Sequence, residues 1–370
     1  MIKSKKLLAV GIVAALGLAA CGSDDDNGSA STDAPDGTEA PDGTEAPDGT
    51  TAPDDTDDMA GSDATVGVVF DITGRGDRSF NDAAGAGLDQ AKEELGVTGL
   101  ESTPTGEGDR AERVQGLVDE GAGLVIGVGF LFGDAMTTVG EANPDTSFAI
   151  IDSVVDLPNV SSLVFAENEG SFLVGAAAAL KSESGKIGFI GGVENDLIQK
   201  FEAGYVAGAE AVNPDIEILV NYITQPPDFG GFNDPARAKE IATAQYEDGA
   251  DVIFHAAGGS GLGLFEAAVE AGEPGEVWAI GVDSDQYLTA TPETQPYILT
   301  SMLKKVDVAT FETIKSFTEG SLEGGVQVFD VASDGVGYST SGGHIDDITG
   351  ELDDFAAQIA AGEIEVPEAP

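Results

Sequence analysis

The chain has 370 residues, with 67 acidic side chains against 16 lysines and arginines, a formal net charge of -51 and one cysteine. So negative a surface repels nucleic acid and anionic lipid and favours a neutral or cationic ligand, although the same acidity also serves plain solvation. A single cysteine excludes an internal disulfide and a cysteine metal cluster, and two widely separated histidines, His255 and His344, carry no metal-ligand spacing, so no cofactor is expected.

In chain order, Lys3, Lys5 and Lys6 precede an apolar stretch from Leu7 to Ala20. That stretch is shorter than the roughly 20 residues of a bilayer span and reads as a secretory signal peptide, residues 1–20. It ends in Leu18-Ala19-Ala20-Cys21, which resembles the lipobox of bacterial lipoproteins. The expectation is a mature chain that starts at Cys21 and carries lipid there, anchored in the cell membrane on its extracytoplasmic face. An ordinary signal peptide followed by a chance cysteine is the alternative. Residues 21–63 then hold the lipidated cysteine and an acidic tether in which APDGTE, APDGTE, APDGTT and APDD recur from Ala34. With almost nothing apolar to bury, this segment is expected to stay disordered as a spacer.

From residue 64 onward the chain exceeds one comfortable core. Continuous apolar runs at 66–71, 124–129, 147–152, 186–191, 217–223, 251–256, 277–282 and 298–303 read as parallel strands covered on both faces. Helical patterns fall at 79–95, 109–120, 131–142, 169–182, 195–212, 233–248, 262–272 and 304–319. "IDDITGELDDFAAQIAAG" reads as a last amphipathic helix. The alternation predicts an α/β fold of doubly wound sheets, in which ligands bind beyond the carboxyl ends of the strands. Those ends are Asp71, residues 127–132, Asp152, the Gly191-Gly192 pair, residues 257–260 and Asp283. The glycines at 258–263 do not follow the dinucleotide order, and Gly185-Lys186-Ile187 lacks the rest of a phosphate loop. No nucleophile elbow, Cys/His pair or HExxH motif occurs, so a binding protein and not an enzyme is expected.

A lipidated, tethered, two-lobed α/β chain already suggests a transporter's substrate-binding protein. "VVFDITGRGDRSFNDAAGAGL" resembles the opening motif of the basic membrane protein (Bmp) family, which includes the PnrA-like lipoproteins of ABC transporters. Further blocks agree in order: "GLVIGVGFLFGDA", "NPDTSFAIID", "ENEGSFLVGAAAAL", "GKIGFIGGVENDLIQKFEAGYVAGA", "NPDIEI", "DPARAKEIATAQYEDGADVIFHAAGGSGLGLFEAA", "VWAIGVDSDQ" and "TSMLKKVDVA". Together they cover about residues 65–345.

The resemblance implies a type I periplasmic-binding-protein fold, with two Rossmann-like lobes joined by hinge strands and the ligand in the cleft. Lobe I would take 64–170 plus about 299–325, lobe II 171–298 plus about 326–362, leaving a tail at 363–370. The implied ligand is a purine nucleoside (adenosine, guanosine or inosine), handed by a monomer to an ABC permease and its ATPase. By the same resemblance Phe80 would stack on the base and Asn81 would read the purine edge. Asp71 and Asp283 would accept ribose hydroxyls, and Lys304 would donate to the sugar. Asp152 would contact the base, Phe201 would form a second aromatic wall, and Gly258 would let backbone approach the ligand. Plainer roles stand beside these: packing for Phe80, helix capping for Asn81 and Asp82, a turn for Asp152, a surface position for Lys304. His255 is read as a core or hinge hydrogen-bonding residue. The tripeptide Arg75-Gly76-Asp77 falls where the family has a variable glycine turn, so its likeness to an adhesion signal is read as coincidence. Two other functions remain: binding of another aromatic compound such as riboflavin on this scaffold, and a surface adhesin or ligand sensor without transport.

Overall fold

The computed structural model describes residues 64–106 and 108–370. The signal peptide, Cys21 and the APDGTE tether lie outside the described residues.

The first sheet opens with β1 (Thr65–Val69), α1 (Phe80–Glu94), β2 (Thr98–Ser102), α2 (Arg110–Asp119), β3 (Leu124–Gly127), α3 (Gly133–Ala142), β4 (Ser147–Ile151) and β5 (Val160–Phe165). α4 (Glu167–Lys181) leads to β6 (Lys186–Val193), α5 (Asp196–Val212), β7 (Glu217–Thr224), α6 (Pro235–Glu247), β8 (Val252–Ala256), α7 (Leu262–Ala271), β9 (Trp278–Asp283), the short α8 (Gln286–Thr289) and β10 (Ile298–Lys304). α9 (Val306–Thr318), β11 (Gly325–Phe329), β12 (Val336–Tyr338) and α10 (Thr349–Ala360) complete the chain. Two six-stranded sheets result, ordered β11-β5-β4-β3-β1-β2 and β12-β10-β9-β8-β6-β7. Every pairing in the first is parallel, and in the second only β12 runs antiparallel to its neighbour.

All eight expected strands are present. Seven are inner strands, which must be apolar on both faces, and β3 and β8 are buried along their whole length; the eighth, β7, is a largely exposed sheet edge. Four strands were not anticipated. β2 and β11 are sheet edges whose outer residues face solvent, so neither forms an apolar run. β5 is buried, but Ser161 and Ser162 interrupt its apolar pattern. Both hydroxyls are bonded within the fold: Ser161 Oγ donates to the Glu323 carbonyl (2.6 Å), and Ser162 Oγ accepts from Val155 N–H (3.0 Å). β12 has only three residues.

The chain crosses between the sheets three times: through α4 after β5, through α9 after β10, and between β11 and β12. The expected return to lobe I at about 299 differs from this, since β10 pairs with β9 and β12 in the second sheet and only α9, packed on α1, lies with the first. The last crossing follows Phe329 rather than 325, because β11 pairs with β5. An apolar run identifies a strand without naming its neighbours, and sheet membership is decided by hydrogen-bond partners far away in sequence.

α4 and α5 pack so closely that glycine is required at their contact. A Cβ on Gly208 would lie 1.9 Å from the Phe172 carbonyl oxygen, and one on Gly204 2.0 Å from that of Asn168. Backbone cannot retreat as a flexible side chain would. Gly208→Ala is therefore expected to lower the unfolding free energy by about 1–3 kcal/mol. Urea denaturation at unchanged m-value reads this out, and an unchanged midpoint would show that the helices can separate freely.

Candidate functional site

The loop from Asp71 to Asp82 is built from its own polar side chains. Asp77, buried, caps α1 from outside: Oδ1 accepts from the N–H groups of Ser79 (3.0 Å) and Asp82 (3.1 Å), and Oδ2 accepts from Asn81 N–H (2.9 Å) and Nδ2 (2.9 Å). Burial pushes the Asp77 carboxyl upward and these bonds oppose that shift. Asp82 accepts from Gly76 N–H (2.7 Å) and Arg78 N–H (2.8 Å). Asn81 receives Asp71 N–H on Oδ1 (3.0 Å) and donates Nδ2 to Thr73 Oγ1 (2.8 Å) as well as to Asp77. Both Asn81 amide hydrogens are thus spent inside the loop, and one Oδ1 lone pair remains to face a ligand. The helix-capping alternative for Asn81 falls instead to Asp77. Arg75 bonds Asp89 (2.7 Å), Glu101 (2.8 Å) and the Gly85 carbonyl (3.1 Å). With Arg75 tied down and Asp77 buried as a cap, the Arg-Gly-Asp tripeptide does not present its two charges to a receptor.

This loop faces a cavity of about 430 Å³ at the carboxyl ends of the strands of both sheets. All eight residues expected at the site line it: Asp71, Phe80, Asn81, Asp152, Phe201, Gly258, Asp283 and Lys304. Each arrives from a strand end or from the helix that follows, so the sheets fix their positions. Asp152, after β4, and Asp283, ending β9, share an unusual backbone, with φ of 65° and 64°, the left-handed region that costs a non-glycine residue energy. The two sheets thereby present one carboxylate each into the same space. Gly258, at φ 53°, also needs the left-handed region and brings bare backbone to the wall.

Lys304 is the centre of the charge cluster. It is 2% exposed, so the surface position does not apply. Nζ lies 2.6 Å from Asp152 and 3.1 Å from Glu167, and 5.2, 5.0 and 5.7 Å from the ring centroids of Phe80, Phe165 and Phe201. Burial alone would lower the Lys304 pKa, but Asp152, Glu167 and Asp283 outweigh it and hold the ammonium charged. The Glu167 carboxyl is pushed up to about 7 by burial, against the pull of Lys304. Asp283 is pushed up to about 6 by burial, opposed by Lys304 and by a 2.5 Å hydrogen bond from Ser79 Oγ. Asp71 is held differently, by Arg110 Nη2 at 3.0 Å and its neighbour Ile72 N–H at 2.8 Å. His255 is fully buried and bonded to Gln286 (2.9 Å), with its pKa lowered to about 4 by burial; it does not line the cavity.

Sequence reading missed an acid behind the wall and three aromatics on it. Glu167, which opens α4 and pairs with Lys304 from behind, looks in sequence like every other acid of an acid-rich chain. Phe130 meets Phe229 and Phe232 across the cleft in edge-on contacts, with centroids 6.0 and 6.5 Å apart. The aromatic spacing in "GFLFG" and "DFGGFND" was the available signal, but nothing in it shows that the two segments meet.

The raised carboxyls have a sign that can be tested. Asp283 and Glu167 hold protons more tightly folded than unfolded. Their contribution to stability is therefore complete below the usual carboxylate range of about 4 and is lost as pH rises through about 6 and 7. Asp283→Asn is expected to flatten the fall in unfolding free energy between about pH 5 and 7.5 relative to the parent chain. Urea midpoints across that range check it, and parallel curves would refute the assignment.

Two sheets, three crossings and a cavity at facing strand ends define a type I periplasmic-binding fold, and the family match gives its role. A family model described as ABC transporter substrate-binding protein PnrA-like matches residues 64–369. The chain belongs to this family, whose members are extracytoplasmic, membrane-associated substrate-binding proteins. Among curated relatives, it is 36% identical over 332 residues to a CD4+ T-cell-stimulating antigen of Listeria innocua, covering 85% of this chain and 91% of the relative. It is 35% identical over 327 residues to the ABC transporter nucleoside-binding protein BmpA of Lactococcus lactis, covering 83% and 90%. A solute-binding protein of an ABC transporter system from Aeropyrum pernix superposes with a TM-score of 0.72 at 28% identity, covering 82% of this chain and 94% of that one. Among the described residues no helix is long and apolar enough to cross a membrane.

Proposed function

We propose that this chain binds a purine nucleoside in the cavity and, as a lipoprotein anchored through Cys21, delivers it to an ABC permease and its ATPase. The observation that carries this reading is the division of one cavity wall into an aromatic face, Phe80 and Phe201, and a carboxylate set, Asp152 and Asp283, gathered round Lys304. A flat base stacks on rings. Ribose hydroxyls donate to carboxylates and accept from an ammonium. Asp283 and Lys304 are the proposed sugar contacts, with Phe80 and Phe201 on the base. Asp152 already shares the ammonium, so its proposed part is to aim Lys304. The remaining Asn81 lone pair is left for a base donor, and Gly258 offers backbone. The Lactococcus relative's name supports the same class. Enclosure by two lobes, 64–165 with α9 and β11, and the rest, implies closure about the three crossings. The Arg75 and Asp77 bonds speak against the adhesin reading.

The acid excess of the cavity adds a limit. Asp71, Asp77, Asp152, Asp228 and Asp283 line the cavity with one cation, Lys304, which is already paired with Asp152 and Glu167; Arg110, off the wall, is paired with Asp71. A phosphate would meet repulsion, so nucleosides are favoured over nucleotides. Titration calorimetry on the chain, unfolded and refolded to strip carried ligand, tests this with adenosine, guanosine, inosine, cytidine, adenine, ribose, inosine 5′-monophosphate and riboflavin. Purine nucleosides are expected to bind at micromolar or tighter dissociation constants, with the monophosphate at least about tenfold weaker. Binding of riboflavin alone would replace the ligand class and keep the scaffold; silence across the panel would refute the nucleoside reading.

A further inference from the structure

Besides the chain crossings, the Lys304–Asp152 pair and the Phe130 ring contacts, the two lobes are joined by hydrogen bonds between residues 78–79 of the first lobe's loop and residues 282–286 of the second lobe. Ser79, fully buried, donates Oγ to Asp283 Oδ2 (2.5 Å), with the Val282 carbonyl also near (3.3 Å). Ser284 Oγ donates to the Ser79 carbonyl (3.2 Å). Gln286 donates Nε2 to the Arg78 carbonyl (3.0 Å). The Gln286 amide is fixed in that direction because its Oε1 accepts from both Val282 N–H (2.9 Å) and His255 Nε2 (2.9 Å). His255 therefore acts on the cleft at one remove, as a brace for Gln286. Both ends of the junction are backbone in the left-handed region, Arg78 at φ 53° and Asp283 at φ 64°. Such conformations persist only where surrounding contacts hold them.

We propose that Ser79 and Gln286 are positioning residues that form a latch across the cleft, holding the lobes together over the ligand. Neither side chain lines the cavity, whereas Asp283, the acceptor of the Ser79 bond, does. One carboxylate is thus shared between the latch and the cavity wall. Ser79 fixes one Asp283 oxygen from the far lobe and leaves the other oriented inward. A ligand hydroxyl on Asp283 and a closed latch favour each other, because both need the carboxylate in one orientation. The latch rests on the substrate-binding class of the chain and not on which solute is bound.

The test separates the two. The full chain, with Cys21→Ser, carries spin labels at Glu94→Cys on α1 and Glu247→Cys on α6, both exposed. Distances between the labels are measured without ligand and with inosine, for the parent and for Ser79→Ala. Removal of the hydroxyl is expected to add a population with a longer distance without ligand and to speed inosine dissociation by about five- to tenfold, with association little changed. Unchanged distances in Ser79→Ala would overturn the latch. If inosine does not bind the parent chain, the nucleoside reading fails, while the distances still decide the latch. Should Ser79→Ala not fold, Ser284→Ala removes only a half-buried hydroxyl of the same junction; a longer-distance population supports the latch and its absence overturns it.

Discussion

Lys304→Met is expected to destabilise the protein by about 3–5 kcal/mol, the largest effect of any single substitution in the site. Methionine replaces the volume of the lysine stem and removes the ammonium. Asp152 and Glu167, both under a tenth exposed and within 3.1 Å of that ammonium, are then left as buried carboxylates facing each other without compensation. The protein can relieve this only by taking up a proton or letting in water, and both responses carry a signature. Destabilisation should shrink as pH falls, since a protonated Glu167 no longer repels Asp152. Combining Lys304→Met with Asp152→Asn and Glu167→Gln should recover much of the loss, because of the carboxylates round the missing ammonium only Asp283 then remains, hydrogen-bonded to Ser79 and able to take up a proton. Urea unfolding of the single and triple variants decides the matter. A single variant within about 1 kcal/mol of the parent would show that the cluster is solvated in solution.

Asp283→Asn is expected to move affinity and stability in opposite directions. The amide keeps the shape of the carboxylate and can still accept from Ser79, so the latch geometry survives. It loses the charge that accepts ribose hydroxyls strongly, and the affinity for inosine should fall about 10- to 100-fold, the worth of a charge-assisted hydrogen bond of about 1.5–3 kcal/mol. Stability near neutral pH should hold or rise, because a carboxylate that burial pushes up to about 6 is costly to keep ionised at pH 7.5. Calorimetry and thermal unfolding on the same preparation give both signs. Affinity within twofold of the parent would remove Asp283 from the sugar contacts.

Much of the architecture was legible before any coordinates. The eight apolar runs became strands, seven of them because a parallel strand covered on both faces tolerates little else; β7 lies at a largely exposed edge. The nine helical patterns, including the last at 349–360, became helices. The strand-end rule brought Asp71, Asp152 and Asp283 to one cavity, since all strands of a parallel sheet point their carboxyl ends the same way. Family resemblance added Phe80, Asn81, Phe201 and Lys304 to that cavity, which the residues alone did not single out, and gave a role to Gly258, which the strand-end rule had already marked.

Near neighbours in the chain set the period, the turn chemistry, the alternation of strand and helix, and the direction in which strand ends point. Which distant groups share one small volume follows from folding alone. Glu167 is one acid among 67 until it lies 3.1 Å from Lys304. β10 reads as any apolar strand until its partners place it in the second sheet. Asn81 looks free to read a base until Asp71, Thr73 and Asp77 are found to occupy three of its hydrogen-bonding positions. Ser79 is one polar residue of a loop until Asp283, far along the chain, takes its hydroxyl. Hydrophobic periodicity is a local property of the chain. Hydrogen bonds and Coulomb forces act over a few ångströms of space, whatever the separation in sequence, and so their partners appear only once the chain is folded.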